Sequence, residues 1–473
     1  METARRITAN FISLLAAELV SKLVLLLIFI QIARYLGPVD FGKFSFGVAL
    51  AMIAVVLSDF GFGTLLVREI SRDKKNVNKY VSHALLFKAI LSIASIGAAI
   101  AYLAIFGYDY YTFWLSLILL IFFILQSFTD IFYAVFRAFE RMQYDSLMKV
   151  IRILLLLFLV LLSIGKNMNM FFISMMFPVT EILIFFLSCA IYLKKFHSLR
   201  FEIDYGFLGS LARKSSLFFL SLVFTTLLLY VDAIMLERMK GTYEVGIYSA
   251  AYNLLLGVTF IPLMFSNAIY PVFSRYYLKD KSLLKFAYRK SFQYMLMFGL
   301  PITLGIFVYA RNIMLFAYGQ EYAGSILVVQ ILCWFILLRF INIISGTLLS
   351  SIDRQGARVF GQGSVAVINI ILNILLIPRY GFLGAAIAVI ASESLFLITY
   401  YYFIFREGLN FDYMGIAWKP LLASVIMTIP LLYINDLFIG TISGILIYFS
   451  TLIIVRAFNH EDKNLLNRII RKG

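Results

Sequence analysis

Five ionisable residues interrupt the apolar segments in the first third of the chain: Glu18, Lys22, Asp59, Lys88 and Asp130. A charge in the hydrocarbon of a membrane is costly, so such a residue faces a water-filled cavity or an oppositely charged partner. At about 1.5 Å per helical residue, all five lie at a similar depth, in the cytoplasmic half of their segments.

Two interpretations of these residues stay open. In one, the charges neutralise one another: Glu18 precedes Lys22 by four residues, the favourable spacing of a helical ion pair. Asp59 would then pair with Lys88. In the other, the side chains line a hydrated cavity in which the lysines meet an anionic head group and the carboxylates exchange protons or sodium ions.

Apolar segments further along the chain contain more ionisable residues, among them Glu181 in span 6 and Asp232, Arg339 and Glu393. The basic residues assigned to segment interiors are candidates for binding an anionic substrate: Lys22, Lys88 and Arg339. The acidic residues are candidates for ion coupling or charge pairing: Glu18, Asp59, Asp130, Asp232 and Glu393. The chain has 2 Cys and 3 His, without the spacing of metal ligands. We therefore expect no metal, cofactor or catalytic residue, only coupling to a gradient of H+ or Na+.

The amino-acid composition places these residues in a membrane protein. Hydrophobic residues make up 62% of the 473 and charged residues 14%, whereas soluble domains average about 45–50% and about 25%. Runs rich in Leu, Ile and Phe, without polar alternation, predict helices rather than a β-barrel. We predict an all-α polytopic membrane protein with about 14 transmembrane helices, each about 20 residues or longer. The predicted spans are 10–34, 44–67, 80–105, 112–136, 147–165, 170–193, 215–237, 247–273, 291–310, 323–351, 357–377, 381–405, 415–434 and 437–456.

The 41 basic residues fall mostly in alternate loops on one side of the predicted helices. That side holds both termini and the loops around 68–79, 194–214 and 274–290, and Lys149 and Arg152 are counted with the loop between spans 4 and 5. Cytoplasmic loops carry an excess of Lys and Arg, so we predict cytoplasmic termini in a multi-pass protein of the cell (inner) membrane. The formal net charge of +16 is then a topology signal and indicates no nucleic-acid partner.

A twelve-residue pattern, R-x2-G-x2-[DE]-x-G-x-[FY]-S, occurs at 34–45 and again at 238–249. Glycine allows a turn at positive φ or a close approach of two backbones. Four glycines are therefore candidates for external hinge turns: Gly37, Gly42, Gly241 and Gly246. Six predicted helices separate the two copies, and an even number keeps both copies in the same orientation. We predict parallel repeats, an arrangement typical of transporters whose two lobes rock about a central site.

The repeat also predicts how the chain divides. The first six-helix lobe would occupy 1–200 and the second 210–410, joined by a cytoplasmic linker at 194–214. Residues 411–473 would add a C-terminal helix pair, spans 13 and 14, and a basic cytoplasmic tail.

Several motifs resemble those of a known family. The stretch A-R-Y-L-G-P-x-D-F-G at 33–42, with S-D-F-G at 58–61 and R-E at 68–69, resembles the opening of polysaccharide (O-antigen type) flippases. Y-V-D-A-I-M at 230–235 and P-R-Y-G-x-x-G-A-A at 378–386 extend the resemblance over the whole chain. These flippases share the MOP superfamily with the lipid II flippases and the MATE drug exporters.

The resemblance implies a transporter rather than an enzyme. Its substrate would be an oligosaccharide linked to polyprenyl pyrophosphate, moved from the cytoplasmic to the outer leaflet by alternating access for surface polysaccharide assembly. The pyrophosphate would meet the three basic residues within the spans: Lys22, Lys88 and Arg339. Membrane lipids and polysaccharide-assembly proteins are the other expected partners, and an ion gradient is the expected energy source.

Three other functions are compatible with parts of the sequence. A MATE-like exporter of small molecules would share the fold, but its cavity should be dominated by acidic residues, and the lysines of the first lobe argue against it. A membrane glycosyltransferase or polymerase would need a sizeable soluble loop or a D-x-D metal site. A passive scramblase or structural membrane protein does not require the repeat.

Overall fold

The computed structural model describes residues 2–196 and 204–457, and every regular element within these ranges is a helix. The α-helices are α1 Glu2–Asp59, α2 Phe62–Arg72, α3 Val77–Ile105, α4 Tyr110–Ala138, α5 Met142–Gly165, α6 Met170–Lys195, α7 Tyr205–Lys240, α8 Thr242–Val258, α9 Phe260–Lys279, α10 Lys281–Ala317, α11 Ser325–Ser351, α12 Gln355–Tyr380, α13 Phe382–Arg406, α14 Tyr413–Leu431 and α15 Leu437–Ile454. Short 3-10 turns occupy Lys74–Asn76 and Gln320–Tyr322.

Among the described residues, 13 helical segments are long and apolar enough to cross a membrane. The first of them, Ala16–Arg72, has 57 residues, or about 85 Å at 1.5 Å per residue. The hydrocarbon is about 30 Å thick, so this segment has the length of two crossings, and α1 is broken between them at Gly37. The predicted all-α membrane fold with about 14 spans is confirmed.

Carboxylate and amide caps determine where many of these helices begin. The Asp109 carboxylate accepts hydrogen bonds from the Tyr111 and Thr112 backbone N–H groups, each at 3.1 Å. A cap of this kind satisfies N–H groups that have no partner within the helix. The same role falls to Asn169, Asp204, Asp280, Asp412 and Asp436 at the starts of α6, α7, α10, α14 and α15.

The chain forms two compact units. The first contains the described residues up to Asn253 together with Gln362–Ala385, and one of its cores joins α2, α3, α4 and α6 around Phe62, Phe132 and Tyr192. The second contains Leu254–Gly361 and the described residues from Ala386 onward, and one of its cores joins α10, α14 and α15. The division into lobes at 1–200, 210–410 and 411–473 stays a prediction. Residues 197–203 of the predicted linker and 458–473 of the predicted tail lie outside the described residues.

Candidate functional site

A short ion pair between two predicted site residues joins Lys88 on α3 to Asp59 at the end of α1. Lys88 Nζ donates to Asp59 Oδ1 at 2.7 Å and to the Ser127 carbonyl oxygen at 2.5 Å. The Lys88 side chain is fully buried, whereas the Asp59 side chain is 26% exposed. In this conformation the ammonium group is therefore committed to protein partners, as the pairing interpretation requires.

Glu18 pairs with a residue of another helix, α5, and not with Lys22, which its four-residue spacing suggested. Its Oε2 lies 3.4 Å from Lys149 Nζ on α5, and Lys149 also lies 3.4 Å from Asp145 Oδ1. Lys22 is exposed, and it forms no ion pair within the part of the chain that the structure describes. Of the three basic candidates, Lys22 is the one without an ion pair to the described residues, since Lys88 and Arg339 are paired.

Two largely buried cations on α5 were not recognised as charges within a span by the sequence analysis. Lys149 and Arg152 were counted there with a basic loop, but both lie inside α5, with side chains 17% and 16% exposed. Arg152 Nη1 lies 3.8 Å from Glu181 Oε2 on α6, whose other carboxylate oxygen accepts a hydrogen bond from Thr129 Oγ1 at 2.7 Å. The list of three basic residues within spans was thus incomplete, although both cations fall inside predicted span 5.

Asp130 on α4 belongs to the same group of charges. It interacts electrostatically with Arg152, Lys88 and Asp59. The structure thus connects these charges of the first unit mainly through ion pairs between different helices, and their common depth in the membrane stays a prediction.

Arg339 on α11 and Glu393 on α13 form a second paired group, in the second unit. Arg339 Nη1 donates to Glu393 Oε1 at 2.7 Å. Asn342 Nδ2 donates to the Glu393 carboxylate at 2.6 Å and to its backbone carbonyl at 2.9 Å. An anionic substrate would have to compete with Glu393 for the Arg339 guanidinium.

Asp232 on α7 is a buried carboxylate whose hydrogen-bond donors are neutral side chains. It is 0% exposed and accepts hydrogen bonds from Asn373 Nδ2 at 2.5 Å and Tyr248 Oη at 3.2 Å. Asn373 Nδ2 also donates to Asn369 Oδ1 at 3.1 Å, and Asn373 Oδ1 is buried without a hydrogen-bond partner. Among the described residues, no basic side chain pairs with Asp232.

The side chains of Asp232, Tyr248, Asn369 and Asn373 bring together one carboxylate and three neutral oxygen-bearing groups. Oxygen ligands of this kind suit a proton or a hard cation such as sodium. The two asparagines were missed by the sequence analysis because they carry no charge. Their spacing, N-I-I-L-N over 369–373, places both on one helix face and is the signal that could have revealed them.

The two copies of the repeated pattern adopt the same turn and pack against each other. Gly37 has φ 72° and ψ 173°, and Gly241 has φ 90° and ψ 177°. A Cβ atom on Gly42 would overlap the carbonyl group of Thr242, lying 2.7 Å from its carbon. A Cβ atom on Gly246 would overlap the carbonyl group of Pro38 in the same way, 2.8 Å from its carbon. We call this reciprocal backbone contact, formed by Gly42, Gly246, Pro38 and Thr242, the glycine contact.

Acidic residues beside the glycine contact have different partners in the two copies. Glu244 accepts a hydrogen bond from the Phe382 backbone N–H at 2.7 Å, at the start of α13. Asp40, its counterpart in the first copy, lies 3.6 Å from Lys43. Glu244 therefore caps the start of α13, a helix distant from it in sequence.

Comparisons with known proteins agree with the sequence motifs. Residues 7–277 match the model of the family described as "Polysaccharide biosynthesis protein", and residues 218–375 match the MatE family model. Over 419 residues the chain is 27% identical to the "Capsular polysaccharide biosynthesis protein CapF" of Staphylococcus aureus, which covers 84% of this chain and 99% of that protein. It is 25% identical over 241 residues to the "Probable low-salt glycan biosynthesis flippase Agl15" of Haloferax volcanii, 48% of this chain and 50% of that one.

Solved structures share the same fold. The lipid II flippase MurJ in an inward closed conformation superposes with a TM-score of 0.78 at 17% identity, covering 94% of this chain and 99% of that one. An inward-facing MATE family multidrug transporter of the MOP superfamily superposes with a TM-score of 0.69 at 16% identity, covering 82% and 95%. At these identities the likeness concerns the fold, and together with the family models it confirms the resemblance found in the sequence.

Proposed function

Because the chain belongs to the polysaccharide biosynthesis protein family, we propose that it flips a lipid-linked oligosaccharide across the cell membrane. The substrate would be carried on polyprenyl pyrophosphate and moved from the cytoplasmic to the outer leaflet by alternating access. The observation that carries the proposal is that the family match over residues 7–277 includes the charges of the first unit. The protein would act as a transporter, with no covalent step.

Lys22 is the proposed first contact for the pyrophosphate. It is exposed on α1, and an ammonium group bound to phosphate oxygens forms a charge-assisted hydrogen bond. Lys88 and Arg339 would contribute only after their pairs with Asp59 and Glu393 are exchanged for the substrate. The substrate charge could in this way drive a rearrangement of the ion pairs, because each cation exchanges one anionic partner for another.

The Asp232 group is the proposed site of ion coupling. A carboxylate buried without a cation is unstable when ionised, so it is expected to be protonated or to bind a sodium ion. Asn369 and Asn373 supply the further oxygen atoms that a sodium ion would need. Loss of the bound ion would leave the buried Asp232 carboxylate without a compensating positive charge. This arrangement of α7 would then be unfavourable, so ion binding would control the conformation of α7.

The glycine contact is the proposed external closure. Backbones this close exclude water and substrate without any specific side chain. In alternating access the contact would have to open on the outer side, with Gly37 and Gly241 as hinge turns. This placement on the outer side rests on the predicted topology, in which both termini are cytoplasmic. Polysaccharide-assembly proteins at the membrane surface are proposed as partners separately from this topology.

The test is flipping of a fluorescent polyprenyl-pyrophosphate oligosaccharide by the full chain in vesicles, read from its accessibility to an added quencher. Lys22→Ala should slow flipping about tenfold or more, because it removes one charge-assisted contact. Lys166→Ala is the matched control, since Lys166 is an exposed lysine at the end of α5, and it should flip at the unchanged rate.

Two results would contradict the proposal. If Lys22→Ala combined with Lys88→Ala flips normally, the assigned anion site is wrong. If the unaltered chain leaves the leaflet distribution of the lipid-linked oligosaccharide unchanged and instead exports small cations in exchange for H+ or Na+, it is a MATE-like exporter.

A further inference from the structure

The hairpin between α9 and α10 has an unusual concentration of positive charge. The two helices are joined by one residue, Asp280. The carboxylate of Asp280 accepts hydrogen bonds from the Ser282 backbone N–H and Oγ, both at 2.7 Å. This carboxylate caps α10, and its single negative charge offsets only part of the positive charge around it.

Five cations lie on the two helices in regular spacing: Arg275 and Lys279 on α9, and Lys281, Lys285 and Arg289 on α10. Residues four apart share one face of a helix, so each helix presents a basic stripe. Within residues 2–196 and 204–457, none of the five forms an ion pair. Asp280 is the one acidic residue of the hairpin between 275 and 289, so these five cations leave it with a net positive charge.

The same hairpin carries exposed apolar side chains. Leu278 is 83% exposed, Leu283 is 44% exposed and Tyr277 is 40% exposed. A surface that combines apolar side chains with Lys and Arg is typical of a segment in the interface between hydrocarbon and water.

The position of the hairpin relative to the end of the preceding predicted span also places it in the interface between hydrocarbon and water. The apolar run of the preceding span ends at residue 273, so residues 275–279 lie about 3–9 Å beyond it along the helix. The polar layer on each side of a bilayer is about 5–8 Å thick. Leu278 and its basic neighbours therefore lie at the level of the lipid head groups.

We infer that the α9–α10 hairpin binds the head groups of anionic phospholipids in the leaflet that contains it. The basic stripes supply the charge complementarity, and Leu278 inserts among the upper methylene groups. Lys and Arg near an anionic membrane surface each contribute to such binding, and the contribution falls as salt screens the charges. The expected consequence is a shell enriched in anionic lipid around the second unit.

The test compares spin-labelled phosphatidylglycerol with spin-labelled phosphatidylcholine around the full chain in vesicles of phosphatidylcholine. The unaltered chain should immobilise phosphatidylglycerol preferentially at low salt. The triple variant K279Q/K281Q/K285Q should lower this preference at least about threefold. The matched control R72Q/K74Q/K75Q removes the same charge from three exposed residues near the end of α2, and it should lower the preference far less.

Leu278→Ser supplies an independent readout. It should loosen phosphatidylglycerol and phosphatidylcholine about equally, since it removes an apolar contact and no charge. An unchanged preference in the triple variant overturns the inference and points to an acidic segment of a partner protein. Equal losses in the triple variant and its control also overturn it, because the effect would then come from net charge. Retained helicity and flipping in all variants separate this result from failure of the proposed function.

Discussion

Replacing Asp59 with Ala should destabilise the protein by about 3–5 kcal/mol, because it leaves the buried Lys88 ammonium without the carboxylate that accepts its hydrogen bond. Lys88 is 0% exposed, and the Ser127 carbonyl that remains beside it offers only a partial negative charge. Lys88→Met should cost less, about 1–2 kcal/mol, since Asp59 is 26% exposed and water can reach its carboxylate. The double variant should be close to Lys88→Met alone, because no buried charge remains.

These values come from a double-mutant cycle on the free energy of unfolding in mixed micelles, followed by tryptophan fluorescence. Because the double variant should cost no more than Lys88→Met, the coupling energy between Asp59 and Lys88 should equal the cost of Asp59→Ala, about 3–5 kcal/mol. Asp40 and Lys43 form the control pair, since their atoms are 3.6 Å apart and their side chains 46% and 26% exposed. That surface pair should couple by less than about 0.5 kcal/mol.

One outcome would refute the reasoning. If Asp59→Ala unfolds within 1 kcal/mol of the unaltered chain and the cycle is additive, the Lys88 ammonium is hydrated. The hydrated-cavity interpretation of the charges would then replace the paired one, and Lys88 would be available to an anionic substrate without exchange of partners.

Three further predictions concern the other groups. Gly42→Ala and Gly246→Ala should each open the glycine contact, because a Cβ atom would meet a carbonyl group; maleimide labelling of a cysteine beside the contact should increase equally in both. Asp232→Asn should abolish the dependence of flipping on an H+ or Na+ gradient, whereas unchanged dependence would place coupling elsewhere. Glu393→Ala should lower the unfolding free energy by about 3–5 kcal/mol, because Arg339 loses the carboxylate at 2.7 Å; restoration by Arg339→Met would confirm the cause.

Composition and apolar periodicity were sufficient to predict the helices, because a membrane helix must satisfy its backbone hydrogen bonds internally and needs a minimum apolar length. The pairing of Asp59 with Lys88 was also foreseeable, since a buried charge at similar depth on another helix needs a partner. The partner of Glu18 was not. The four-residue spacing to Lys22 is a local preference of a few tenths of a kcal/mol, and tertiary packing placed Lys149 within reach instead.

The Asp232 group shows a second limit of sequence reasoning. A search for ionisable residues in apolar segments finds Asp232, but Asn369 and Asn373 become part of a site only when α12 is packed against α7. The same limit applied to Arg152. Arg152 falls within predicted span 5 but was counted with the basic loop by the positive-inside rule, and its contact with Glu181 forms only when α5 packs against α6.

The glycine contact explains why the two copies of the repeat are alike at their turns while the charged residues around them differ. A side-chain interaction depends on the partner that surrounds each copy, so equivalent side chains in the two copies can acquire different partners. Asp40 lies near Lys43, whereas Glu244 caps α13 at Phe382. A reciprocal contact of backbone on backbone makes the same demand on both copies: each must lack a Cβ where it meets the other's carbonyl group. Gly42 and Gly246 are therefore equivalent in chemistry as well as in position, and a substitution at either should have the same effect, which is not expected of Asp59 or Asp232.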